Sequence, residues 1–264
     1  MKETLTRTLS GALYIVILIA AVLVSKFTFW GLFLIFGLIC VHELQKLLQL
    51  NSYLSYALLI GFFAFFSIFK LNIYALNILL VLTLLVKVLL LRDLIIIRKI
   101  PLFQEKKYIV VIFYLIASFI FITLIPFDKN DEYQPELLIA IFILIWVNDT
   151  FAYLVGKNFG KNKLFERVSP NKTIEGFLGG LFFSIAAGYV ISLYIPIFTY
   201  GEWIVLSILV SIFGTYGDLI QSKLKRQANV KDSGAIMPGH GGLLDRLDSV
   251  LFAGTFVYTY LLFI

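Results

Sequence analysis

The run NIYALNILLVLTLLVKVLLL, Asn72–Leu91, decides the fold. Its twenty residues carry a single charge, Lys87. Wound as an α-helix they extend about 30 Å, the thickness of the hydrocarbon core of a bilayer. A surface helix of a soluble domain keeps a polar stripe along one side. This run has no such stripe, so its neighbours must be lipid or other apolar helices.

Comparable runs lie on both sides of it, at 8–25, 28–46, 53–69, 108–126, 136–155, 173–195, 202–220 and 243–264. With 72–91 they make nine candidate spans, separated by polar or turn-rich breaks at Asn51–Ser52, Arg92–Lys107, Asp128–Glu136, Lys157–Lys172, Pro196–Gly201 and Gln221–Gly242. The whole chain of 264 residues agrees: 60% is hydrophobic and 14% charged, where a soluble domain carries about 25% charged residues. The reading is an all-α polytopic membrane protein of about nine transmembrane helices. The runs are too long and continuous for barrel strands, which need about ten alternating residues. The first run exceeds a signal peptide, lacks a small-residue cleavage site and leads straight into further spans, so it counts as a helix. One cysteine, Cys40, excludes an intramolecular disulfide, and with His42 and His240 it cannot supply a zinc site. A net charge of +6 does not imply nucleic acid, because in a membrane protein the position of the charges is what matters.

Nine spans place the termini on opposite sides. With the N-terminus inside, one side receives Lys2, Arg7, Lys46, Lys87, Arg92, Arg98, Lys99, Lys106, Lys107, Lys157, Lys161, Lys163, Arg167, Lys172, Lys223, Lys225, Arg226, Lys231 and Arg246, which is 19 of the 22 Lys and Arg. The other keeps Lys26, Lys70 and Lys129 beside the acidic stretch Asp128–Glu136. That asymmetry orients the protein with its N-terminus cytoplasmic and its C-terminus extracytoplasmic. Ionisable groups are sparse before Trp146 and dense after it. Residues 1–135 therefore read as a transmembrane scaffold of about five helices, and 136–264 as a catalytic region of about four helices with cytoplasmic loops.

Under this topology Asp149, Glu175, Asp218, Asp245 and Asp248 reach the same membrane boundary from four helices. Carboxylates at membrane depth are costly unless paired, solvated or metal-bound. Asp245 and Asp248, at i,i+3, share a helix face; so do Asp218, Ser222 and Lys225 or Arg226 if the eighth helix continues past the membrane. Oxygen-only ligands from Asp218, Asp245 and Asp248 suit a hard cation such as Mg²⁺, with a second cation left open. Lys172, Lys223, Lys225, Arg226, Lys231 and Arg246 stand near these acids, whereas Lys157, Lys161 and Lys163 read as ordinary positive-inside residues. Carboxylates with cations are the parts that phosphoryl and nucleotidyl transfer require. The turn Pro238-Gly-His-Gly-Gly242 is rigid and glycine-lined, and its backbone N–H groups can cradle a phosphate. Gly156–Lys161 lacks the P-loop spacing, Gly176-x-x-x-Gly180 reads as helix packing, and Ser222 has no His–Asp partners that would make it a nucleophile. His42 and Glu43 read as a solvated polar pair at a helix end.

The stretch Ser222-Lys-Leu-Lys-Arg226, then Lys231-Asp-Ser-Gly234, Pro238-Gly-His-Gly-Gly242 and Asp245-Arg-Leu-Asp248 resembles the signature of the phosphatidate cytidylyltransferases, or CDP-diacylglycerol synthases. Upstream, Trp146-Val-Asn-Asp149-Thr-Phe-Ala-Tyr153, Gly156, Phe159-Gly-Lys161, Lys163-Leu164, Ser169-Pro-Asn-Lys-Thr173 and Glu175-Gly176 look like the family's other shared block. Met237 stands where Leu, Ile or Phe is expected. The resemblance implies a membrane enzyme that joins CTP to phosphatidate, releases pyrophosphate, requires a divalent metal and forms a homodimer in the inner cell membrane with its site facing the cytoplasm. On that reading a phosphatidate oxygen attacks the α-phosphorus of CTP. A phosphate monoester with a second pKa of about 6 is already largely dianionic at neutral pH, so no general base is needed. Asp218, Asp245 and Asp248 would hold Mg²⁺. Lys225, Arg226, Lys231 and Arg246 would bind phosphates, assisted by Lys172 and Ser222, with His240 at the substrate and Asp149 orienting a basic residue, a cation or the nucleotide.

Two other readings compete. A transporter would carry its ionisable groups nearer the midplane and show an inverted repeat. A CTP-dependent lipid kinase of the dolichol kinase type uses similar parts but releases CDP. The D-G-x-x-A-R pattern of CDP-alcohol phosphotransferases is absent.

Overall fold

The computed structural model describes residues 2–96, 100, 106–239 and 241–264, with side chains from Thr8 onward. Arg98, Lys99 and His240, and the side chains of Lys2 and Arg7, lie outside the described residues. Each apolar run is helical: α1 Lys2–Val24, α2 Lys26–Leu48, α3 Tyr53–Ile68, α4 Ile73–Ile96, α5 Lys107–Leu124, α6 Pro135–Phe159, α7 Ile174–Tyr194, α8 Tyr200–Gln227 and α9 Leu244–Leu261. Local signals set the ends. Ser25 and Thr28 form a capping box at the start of α2, Thr199 and Glu202 another at α8, and Pro135 opens α6, where its missing N–H costs nothing. Both α3 and α5 contain a π-helical stretch, at Phe63–Ile68 and Val110–Ile116.

Among the described residues, six helices are long and apolar enough to cross a bilayer, against nine expected: α2, α4, α5, α6, α7 and α8. The apolar parts of α1 and α3, Thr8–Val24 and Tyr53–Ile68, are shorter, and α9 carries Asp245, Arg246 and Asp248 in its first turns. The expectation of an all-helical chain also needs correction. Within the break at 157–172, strands β1 (Lys163–Phe165) and β2 (Ser169–Thr173) pair antiparallel, with Lys163 opposite Thr173. Val168 at the turn is buried and Leu164 and Phe165 pack against the core, so this small hairpin has an apolar side to hide.

Two helices overrun their expected ends. α4 continues to Ile96 and α8 to Gln227, because the Lys223 ammonium donates to the carbonyls of Asp93 at 2.8 Å and Leu94 at 3.4 Å. A cation at a helix C-terminus takes up carbonyls that have no intrahelical partner. The helices α6 to α9 pack extensively on one another. Glycines allow this: a Cβ at Gly176 would lie 2.6 Å from the Ala152 carbonyl and one at Gly180 2.7 Å from that of Asn148, which confirms the packing role of Gly176-x-x-x-Gly180. At Gly217, between α8 and α9, a Cβ would stand 2.6 Å from that of Phe252. Polar groups collect at two ends of the bundle. Lys70 pairs with Asp131 at one, and the predicted site residues gather at the other.

Lys87, counted above among the cytoplasmic cations, is fully buried. Its ammonium donates to the carbonyls of Leu251 at 2.7 Å and Phe252 at 3.0 Å and to Thr255 Oγ1 at 2.6 Å. A charge in an apolar interior is tolerated only when its hydrogen-bonding capacity is met, and three acceptors match the three protons of an ammonium. It thereby ties α4 to the middle of α9. Replacing Lys87 with Ala should cost about 2–4 kcal/mol, combining lost charge-assisted hydrogen bonds with a cavity. Denaturant unfolding in detergent micelles measures this; stability equal to the parent protein would refute the assignment.

Candidate active site

The C-terminal ends of α6 and α8, the starts of α7 and α9, and β2 beside them enclose a cavity of about 710 Å³. Asp149, Lys172, Asp218, Lys225, Asp245, Arg246 and Asp248 all line it. They come from separate elements up to 100 positions apart, and of the five acids expected to converge Asp149, Asp218, Asp245 and Asp248 do so, whereas Glu175 does not line the cavity.

The geometry of α8 explains part of it. Because the helix runs unbroken to Gln227, Asp218, Ser222 and Lys225 fall on one face, and Ser222 Oγ donates to Asp218 Oδ1 at 3.1 Å. Lys225 crosses to α9 and donates to Asp245 Oδ1 at 2.6 Å. The hairpin carries Lys172 over the cavity, where Nζ meets Asp218 Oδ2 at 2.5 Å. Burial by itself would lower the Lys172 pKa, but the adjacent Asp218 carboxylate, with Asp149 and Asp248 behind it, reverses this and holds it above the ordinary lysine value. The stabilisation from this ammonium is complete below the unfolded lysine pKa of about 10.4 and is lost only as pH rises through the higher folded value.

Asp245 is the most heavily engaged of the carboxylates. Beyond Lys225, its Oδ2 accepts from the Ser233 amide at 2.8 Å, Ser233 Oγ at 3.0 Å and the Gly242 amide at 3.0 Å. Three of these donors crowd Oδ2, whereas Oδ1 meets Lys225 alone and keeps an acceptor site. Among the described residues Asp218 accepts two hydrogen bonds, and Asp248 one, from the Ser249 amide at 2.8 Å. Among the described residues no three acidic, histidine or cysteine side chains form a ready-made metal cluster. Asp218 and Asp248 both keep oxygens with spare capacity, on helices brought close by Gly217.

Several site expectations land elsewhere. Arg226 points away from the cavity, its guanidinium 3.4 Å from the Val230 carbonyl just beyond the end of α8. Lys231 lines an adjoining groove with Asp232 and Arg246. Glu175 is half-buried and accepts from the amides of Lys161 and Asn162, closing the α6–β1 turn instead of lining the cavity with the other acids. In the glycine-rich turn, Gly239 and Gly241 adopt φ of 77° and 87°, a region that favours glycine, and Met237 N donates to the Gly241 carbonyl at 3.0 Å.

Glu43 is the residue that the sequence reading missed. It is 2% exposed, not solvated. From α2 it accepts from Ser233 Oγ at 3.1 Å and from the amides of Leu243 at 3.1 Å and Leu244 at 2.8 Å, capping α9 from outside its own segment. Any Cβ at Gly234 or Gly242 would collide with it, which gives both glycines a reason. No local signal separates such a Glu from a solvated one, because its partners lie about 200 residues away. Asp232, also unassigned above, lines the main cavity.

A family model described as the cytidylyltransferase family matches residues 5–264. The chain belongs to the cytidylyltransferase family. Among curated relatives, the phosphatidate cytidylyltransferase of Staphylococcus aureus (strain COL) is 48% identical over 128 residues, covering 48% of this chain and 48% of the relative. That of Bacillus subtilis (strain 168) is 45% identical over 130 residues, again 48% of each. The chain spans about half the length of the curated relatives it matches. Within this family member, the acids and cations of the cavity form a set suited to phosphate chemistry.

Two outcomes follow from the geometry. Glu43→Ala strands the Leu243 and Leu244 amides, so limited proteolysis should cut within 231–242 faster while the helices remain resistant; unchanged cutting would contradict the capping role. At pH 9 an amine-reactive label should modify exposed Lys231 well before Lys172, and equal labelling rates would show that the bridge to Asp218 does not hold.

Proposed function

We propose that this protein is a CTP:phosphatidate cytidylyltransferase, joining CTP and phosphatidate to form CDP-diacylglycerol and pyrophosphate. The observation that carries the reading is a single cavity at the end of an apolar helical bundle, where Lys172, Lys225 and Arg246 alternate with Asp149, Asp218 and Asp248, in a chain of this family. A polar nucleotide and a membrane-anchored phosphate can meet only at such a boundary. The charge asymmetry of the loops supports nine spans with the N-terminus inside and the site facing the cytoplasm of the cell membrane. Residues 1–135 then serve as scaffold and 136–264 as the catalytic region, in a chain that works as a homodimer.

The dianionic phosphate of phosphatidate attacks the α-phosphorus, and pyrophosphate leaves as that bond forms. No side chain has to remove a proton. Lys225 and Arg246 bind and orient phosphate oxygens, while Lys172 is held in place by Asp218 and carries its charge over the cavity. Asp218, Asp245 and Asp248 would hold Mg²⁺, which supplies charge neutralisation of the triphosphate; Asp245 also fixes Lys225 and the Ser233 and Gly242 amides.

Asp218→Asn and Asp248→Asn should each lower CDP-diacylglycerol formation by a factor of about 100 or more, the scale of losing a preorganised electrostatic group, in protein that still folds. The assay extracts lipid after incubation with labelled CTP, phosphatidate and Mg²⁺. Release of CDP in place of pyrophosphate would favour the lipid kinase reading, and full activity in both variants would overturn the site.

A further inference from the structure

The main cavity has two unlike walls. The carboxylates and cations of α8 and α9 line one of them. The other is built from Tyr153 and Gly156 of α6, Leu164 and Asn171 of the hairpin and Phe177 of α7, none of them charged. Asp149, one turn before Tyr153, and Lys172, whose ammonium reaches Asp218, mark where the two walls join. The elements of the uncharged wall meet at Gly156. A Cβ there would lie 3.0 Å from Thr173 Oγ1, at the end of β2, and 3.4 Å from the Gly176 Cα of α7. That close approach makes the wall one continuous surface.

Two side chains of this wall are open to a ligand. Tyr153 is 64% exposed. Lys157, one turn on, lies over its ring at 5.8 Å from the centroid, and among the described residues no aromatic ring stacks on it. Asn171 is exposed too, and its side-chain amide makes no hydrogen bond among the described residues. An amide offers an acceptor and two donors side by side, the pattern with which Asn and Gln read a base edge in DNA. Unstacked bases of single-stranded RNA likewise lie on aromatic rings while their edges are hydrogen-bonded. A nucleoside triphosphate has the same division as the cavity, a flat uncharged ring at one end and a polyanion at the other. The volume of about 710 Å³ falls within the roughly 300–1,000 Å³ of small-molecule sites.

We propose that the uncharged wall is the base site: the cytosine ring of CTP stacks on Tyr153 with its edge on Asn171, while the triphosphate reaches the cations of α8 and α9. The 4-amino group of the base donates to the amide oxygen of Asn171, and N3 accepts from the amide N–H. This rests on the reaction proposed above. It gives two residues of the upstream motif block, Tyr153 and Asn171, a direct part in binding the nucleotide.

Tyr153→Leu removes the ring and keeps a good helix former; Asn171→Ala removes the amide. Both positions are exposed, so Tm should not move. Tyr153→Leu should raise KM for CTP about tenfold, the scale of losing a base stack. Asn171→Ala should raise it about fivefold, the scale of lost neutral hydrogen bonds. KM for phosphatidate should stay the same in both. Tyr153→Phe keeps the ring and should recover most of the affinity that Tyr153→Leu loses. Binding is also measured without lipid, as the Kd for labelled CTP and for inorganic tripolyphosphate, which carries the charge but no base. Both variants should weaken CTP alone. Unchanged CTP affinity, equal weakening of tripolyphosphate, or a rise in KM for phosphatidate instead would each overturn the proposal. Tyr153-dependent CTP binding by a protein that makes no CDP-diacylglycerol would sink the reaction and keep the base site. An active enzyme whose KM for CTP ignores both variants would sink the base site and keep the reaction.

Discussion

Glu43 and Asp245 together draw six donor hydrogens, the Ser233 hydroxyl proton lying between them, at the junction between the glycine-rich loop and the first turn of α9. The amides at the start of a helix have no intrahelical partner, and here they are buried, where water cannot replace one. Two carboxylates meet that demand, one from α2 and one from α9 itself. Because Asp245 also holds Lys225, the same interaction that closes the loop sets the position of a cation in the cavity. Asp248, one turn further along α9, inherits its place from this anchor. The glycines follow from it too, since Gly234 and Gly242 press against Glu43 where no side chain would fit.

The N-terminal half is consequently more than a lipid-facing scaffold. α2 contributes Glu43, α4 contributes Lys87 against the middle of α9, and the C-terminal carbonyls of α4 receive Lys223 from α8. All three contacts join a charged side chain to backbone groups across the bundle. In an apolar medium these bonds are directional where dispersion is not, so they orient α8 and α9 about their axes. The facing of Asp218 and Asp248 into one cavity depends on that rotation.

Within the cavity the charges divide into structural and available groups. Asp245 meets four donors, Asp218 is half engaged by Lys172 and Ser222, and among the described residues Asp248 is bonded to the Ser249 amide alone. Carboxylates that look equivalent in a motif therefore differ in what they can still bind, and the difference lies in the count of donors around each.

Much was legible in advance. Uninterrupted apolar runs of about twenty residues require helices, because only internal hydrogen bonding satisfies the backbone in lipid, and the edges found for α2, α6 and α7 lie within a few residues of those read from the polar breaks. The spacing of Asp218, Ser222 and Lys225 and of Asp245 and Asp248 determined which side chains share a face. Such properties depend on residues within one or two turns, and the sequence by itself settles them. What only the tertiary structure decided was longer in range: that Lys225 enters the cavity and Arg226 does not, that Glu175 closes a turn, that Lys87 is buried and that Glu43 caps a helix 200 residues away. In each case the partner comes from a distant segment, and burial or pairing of a charge depends on what packs beside it, information that no local pattern carries.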